Sequence, residues 1–188
     1  MPRVHTAKAA RDYPEHDIKK GDTYFHWAFF RGPKMMSKTM PRRSQTTGSS
    51  KLSNVYAAEE SLQALLDIAT CPSDVIAALD TAIMDAEACI DEYNEAIDNL
   101  NEGFPNGCPQ IDETEQARDS IESWKDELES AKSDVEGMEA GEFVDEDYQP
   151  EEGKPRDKVE GWDDLNDDEQ EQMLSAAQDF VNGISLEL

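Results

Sequence analysis

The sequence predicts a mainly α protein: an antiparallel coiled-coil helical hairpin within a three-helix arrangement, with a small N-terminal β-hairpin and a C-terminal helix. Three observations carry this. Apolar residues alternate at three- and four-residue steps through Ile76, Leu79, Ile83, Ala86, Ile90, Tyr93, Ile97 and Leu100, the spacing of a coiled-coil seam with Ile at every a position. The spacing returns in Thr114, Ala117, Ile121, Trp124, Leu128, Ala131, Val135 and Met138. Between the runs lies Gly103-Phe104-Pro105-Asn106-Gly107-Cys108-Pro109. Neither helix can cross it, and so short a connection makes the helices antiparallel neighbours.

The charges agree with that pairing. In an antiparallel pair the e positions of one helix flank those of the other. The first helix carries Asp80, Glu87, Asn94 and Asn101 there, and the second carries Arg118, Lys125 and Lys132. Folded about the loop, Asp80 meets Lys132 and Glu87 meets Lys125. The g flank of the first helix is Val75, Ala82, Cys89 and Ala96. It is small and apolar, so a third helix should cover it, from this chain or from a second copy.

The chain divides by composition into a basic aromatic β-hairpin arm (1–52), an acidic helical coiled-coil body (53–139) and an acidic linker with a C-terminal amphipathic helix (140–188). It has 188 residues and a formal net charge of −26. Residues 1–51 hold 11 Lys+Arg against 4 Asp+Glu, or +7; the remainder holds 6 against 39, or −33. An acidic surface keeps a protein solvated, and it can also imitate nucleic-acid phosphates or bind a basic partner.

Within the arm, the aromatic run from Gly21 to Phe30 favours a strand. Arg31-Gly32-Pro33-Lys34 reads as a turn, and Met35 to Met40 as the returning strand. Phe25, Trp27 and Phe29 then share one face, with Tyr24, His26 and Phe30 on the other. Gln45 to Ser50 reads as a flexible joint. In the body, Ser53 or Asn54 is a candidate cap for a helix with the stripe Val55, Ala58, Leu62, Leu65, Leu66 and Ala69. This helix is the natural cover for the bare flank. Thr70-Cys71-Pro72 stops it, and Ser73 caps the next. In the tail, Asn166 caps a helix from Asp167 to Asn182 with Met173, Leu174, Ala177, Phe180 and Val181 along one stripe, and Gly183 ends it.

Chemistry-bearing motifs are sparse. There is no phosphate loop, no nucleophile elbow, and no Ser/His/Asp arrangement with supporting context, so the reading is non-enzymatic, with no cofactor. His5, His16 and His26 lie apart and give a weak metal signal. Asp145, Glu146, Asp147, Glu151 and Glu152 lack the order of an EF-hand loop. Cys71, Cys89 and Cys108 have no CxxC spacing, which fits a reducing cytosol, and no apolar run has the length of a membrane span.

Two surfaces remain as candidates. Aromatics among cations suit nucleic acid, since rings stack on bases while cations meet phosphates; the contact residues would be Trp27, Arg31, Lys34, Lys38, Arg42 and Arg43. The same rings could instead be the hairpin's own core. The second surface is acidic: Asp80, Asp85, Asp91, Glu92, Glu95 and Asp98, extended by residues 142–152, could act as a DNA mimic toward a basic host or phage protein. The coiled coil could also build a homodimer or a virion component.

The run Gly21-Asp-Thr-Tyr, then Trp27, Lys34, Ser37-Lys38-Thr39, Pro41 and Ser44-Gln45 resembles the start of a family of uncharacterised bacteriophage proteins. Asn101-Glu-Gly-Phe104 and Ile121-Glu-Ser-Trp124-Lys-Asp-Glu-Leu128 resemble its helical part, so the similarity spans roughly residues 8–135. It implies a phage gene product in the host cytoplasm or the virion and carries over no catalytic residue. The chain departs from the family at Ala28-Phe29-Phe30 and Gly32-Pro33, where the family's turn is more basic and Gly-Gly-like.

Overall fold

The computed structural model describes residues 2–144 and 159–186. Among these the chain is mainly helical with a small antiparallel sheet. It forms two compact units, Met1–Glu60 and Ser61–Leu188, and the division falls inside the first helix.

The first unit is built on three strands, β1 (His5–Lys8), β2 (Thr23–Ala28) and β3 (Lys34–Ser37), in the order β1-β2-β3. The expected hairpin is β2–β3, with Phe25 opposite Ser37 and Ala28 opposite Lys34. Strand β1 is an addition to the expected pair: His5 lies opposite His26 and Lys8 opposite Thr23. Tyr24 packs with Ala9 and Ile18 into a small core, joined by Ala7, Tyr13 and Met36. Trp27, on the opposite face, donates its indole N–H to the Gln45 carbonyl at 3.1 Å. Both faces of β2 are therefore covered.

The segment expected as a flexible joint begins in a 3-10 turn (Ser44–Thr46), and the Thr46 and Thr47 hydroxyls donate to the Arg43 carbonyl at 3.2 and 2.8 Å. Ser44 donates from its backbone N–H (3.0 Å) and its hydroxyl (2.5 Å) to Glu60, and Ser53 Oγ donates to the Ser44 carbonyl at 2.8 Å. Helix α1 (Ser50–Leu66) consequently starts earlier than a Ser53 or Asn54 cap would set it.

The second unit holds α2 (Pro72–Gly103), α3 (Pro109–Glu136) and α4 (Asp167–Asp179). Pro72 opens α2 at a first-turn position, where its missing N–H costs nothing. Cys71 occupies the capping position, in place of Ser73. Asp74 accepts the Thr70 N–H and hydroxyl, each at 2.8 Å. The backbone bond and then the hydroxyl bond hold its carboxyl below the usual range.

Helices α2 and α3 lie side by side and run in opposite directions, as their ion pairs require. Lys132 Nζ is 2.6 Å from Asp80 and Lys125 Nζ is 3.1 Å from Glu87, the two expected partners. Arg118 faces a neutral Asn94 in that register and turns to Asp119 and Glu122 of its own helix. The α3 seam is buried at Ile121, Trp124, Leu128, Ala131 and Val135.

On α2 the buried stripe is displaced from the expected seam. The g residues Val75, Ala82 and Cys89 and the d residues Leu79, Ala86 and Tyr93 are buried, while Ile76, Ile83 and Ile90 at a are half-exposed. The reason is that α2 has more than one neighbour: α4 also packs against it, so its apolar stripe is wider than a two-helix seam. Beside the opening turns of α2, Leu65 at the end of α1 and the following Ile68 and Ala69 line a shared pocket with Ala77, Ala78 and Thr81. Asn166 caps α4 as expected: its Oδ1 accepts the Glu169 N–H at 3.0 Å, and Glu169 Oε2 accepts the Asn166 N–H at 3.0 Å. This reciprocal pair is a capping box. The helix ends at Asp179, three residues short of the expected Asn182.

Burial, followed by the charges of Glu92 and Asp85, pushes the Cys89 thiol up to about 11. The stability this contributes is complete below the ordinary thiol value of 9.0 and is lost as pH rises from there through about 11. Cys89→Ala should remove that share of the alkaline loss, read as a smaller drop in urea midpoint between about pH 8 and about pH 10.5. Leu128→Ala, at a fully buried seam position, should lower unfolding free energy by about 2–5 kcal/mol in the same assay.

Candidate functional site

The six basic-arm residues singled out from the sequence fall in different places. Trp27 is corrected outright: it is 4 % exposed, its indole nitrogen is bonded, and it serves as core rather than as a stacking platform. Arg31 stands in the tip loop between β2 and β3, where its φ of 58° lies in the left-handed region; its guanidinium sits 5.1 Å over the Phe30 ring. Lys34 opens β3 with its ammonium 5.7 Å from the Tyr24 ring. Lys38, beyond the far end of β3, is 3.4 Å from Asp17. Arg42 is exposed. Arg43 stacks 3.7 Å over Tyr56 and donates to its hydroxyl at 2.7 Å, so it braces α1. Only Arg31 and Lys34 share a location, at the tip end of the sheet.

Strand β1 brings His5 to that end, with Arg3 just ahead of it. A pocket there is lined by Arg3, His5, His26, Trp27, Ala28 and Lys34. The His5 and His26 rings stand edge to face at 5.3 Å, and Tyr24 continues the row 5.7 Å from His26. The Nδ1 atom of His26 is buried without a hydrogen-bond partner. At the tip itself, Phe30 is 90 % exposed. An exposed ring with Arg31 over it, at the same end of the sheet as Lys34, combines a stacking face with positive charge. Arg3 and His5 were missed because His-Thr-Ala-Lys has no alternation, and nothing else in the sequence marks it as a strand.

On α2, Asp80, Asp85, Asp91, Glu92, Glu95 and Asp98 are all exposed. Asp80 is committed to Lys132. Beside them, Glu87, Ile90, Asp91, Glu122, Lys125 and Asp126 line a groove along α2 and α3. The acidic segment 145–152, with the discounted calcium loop, lies outside the described residues. Among the described residues no group of three His, Cys, Asp or Glu side chains is placed to hold a metal, and no helix is long and apolar enough to cross a membrane.

No family model matches this chain, and neither does any curated protein or solved structure.

Core and contact roles separate by mutation. Trp27→Ala should cost about 3–5 kcal/mol of stability, whereas Phe30→Ala should shift it by no more than about 0.5 kcal/mol. Equilibrium urea unfolding of both variants checks this.

Proposed function

We propose that this chain is a non-enzymatic interaction protein of phage type, acting in the host cytoplasm, whose N-terminal unit contacts nucleic acid or a nucleoprotein. The observation that carries this reading is the division of charge between the folding units. Residues 1–60 hold 11 Lys+Arg against 6 Asp+Glu, or +5; residues 61–188 hold 6 against 37, or −31. A compact unit of net positive charge has affinity for phosphate, while a strongly acidic remainder suppresses indiscriminate binding. Arg3, Arg31 and Lys34 supply phosphate contacts, and Phe30 replaces Trp27 as the stacking ring. The α2–α3 pair, read as a coiled coil, is the assembly element.

A second reading has its own support: the exposed row of carboxylates on α2, in a helix with no Lys or Arg from Asp74 to Glu102, suits a mimic that occupies the nucleic-acid site of a basic protein. The two readings differ in a binding experiment on the full-length chain with fluorescently labelled single- and double-stranded DNA and RNA. The first predicts binding that weakens between about 50 and about 200 mM salt. Replacing Arg31 and Lys34 together by Ala should lower the salt slope by about 2. Absence of binding at the lower salt rejects the first reading, and competition with DNA for a basic protein then supports the second.

A further inference from the structure

The pocket at the tip end of the sheet is more specific than a basic patch. Among the described residues its lining gathers two permanent cations, Arg3 and Lys34, and two imidazoles, His5 and His26, with no carboxylate. The imidazoles are brought together by register, since His5 and His26 are direct partners on β1 and β2. The one carboxylate paired with a β3-side cation, Asp17, sits on Lys38 past the other end of that strand. His26 Nδ1 is buried without a hydrogen-bond partner, at a cost that a bound ligand rearranging the ring could lift.

We propose that this pocket binds a phosphomonoester: the terminal phosphate of a nucleic-acid strand. The inference rests on reading the N-terminal unit as nucleic-acid-binding, and it names what that unit selects. A phosphomonoester carries about −1.5 to −2 charge near neutral pH and three strong acceptor oxygens. A phosphodiester inside a strand carries one charge and two free oxygens. The donors of Arg3, Lys34 and the two rings, which line one pocket, suit the former, with the guanidinium able to make two parallel bonds. Phe30, in the adjoining tip loop and exposed, offers its face to the first base.

The test uses the full-length chain and one single-stranded oligonucleotide prepared with a 5′-phosphate, a 3′-phosphate or hydroxyls at both ends. One phosphorylated form should bind roughly ten-fold more tightly than the hydroxyl form, the ratio expected of a charge-assisted hydrogen bond gained. Arg3→Ala and His5→Gln should each bring that ratio toward one, with circular dichroism verifying that the variants fold. Inorganic phosphate should compete away the preference and move the His26 imidazole signals in proton–nitrogen spectra. Equal affinity for all three strands overturns the proposal and leaves the broader nucleic-acid reading standing. Binding of inorganic phosphate with no preference among the strands also overturns it, assigning a free-anion site. Binding of none of the strands overturns both.

Discussion

The packing of α2 against α3 is the constraint on which the second unit depends. That unit carries −31 in sequence, and self-repulsion of this size opposes compaction. Apolar burial at Ile121, Trp124 and Leu128 works against it, as do the basic residues of α3. Arg118, Lys125 and Lys132 are the only Lys or Arg between residues 61 and 144. All three occupy one edge of one helix. Where α2 presents a carboxylate they cross to it, and where it presents Asn94 the arginine stays on its own helix. Hydrogen bonds donated to Glu87 and then Glu129 hold the Lys125 ammonium above its ordinary range, and one donated to Asp80 does the same for Lys132. Their contribution is present below the ordinary lysine value of 10.5 and fades as pH climbs past it. These exposed pairs set register; the seam supplies most of the stability.

Much of this was legible in residue order because it rests on local periodicity. Spacing of three and four marked both long helices, and the e-position charges fixed their partners. Asn166 announced the cap of α4 before any tertiary information, and Glu169 completes it as a capping box in the structure. What could not be read depends on chain returning from elsewhere. Strand β1 has a sequence without strand character, and pairing with β2 imposes its conformation. Alternation in the aromatic run assigned Tyr24 and Trp27 to opposite faces correctly, yet nothing local says that both faces are covered. Ile18 closes one, and the Gln45 carbonyl reaches the other. The displaced stripe of α2 has the same origin: a heptad pattern describes two helices, and α4 is a further neighbour.

The consequence for function is a shift of residues within one chemical idea. A basic arm with aromatic rings was evident, but its rings are largely structural, and two of its cations are engaged, Lys38 with Asp17 and Arg43 with Tyr56. What remains at the sheet's tip is compact: Arg3, His5, His26, Lys34 and Arg31 with the exposed Phe30. The acidic helices belong to the second compact unit, whose sequence carries charge of the opposite sign.

The most direct measurement is a proton–nitrogen correlation spectrum of the full-length chain titrated with a single-stranded oligonucleotide. The account predicts that perturbed amides concentrate at residues 3–5 and 26–34, with the α2 amides from Asp80 to Asp98 unmoved. Perturbation centred on α2, or on the Lys38 and Arg43 regions with the tip silent, contradicts it.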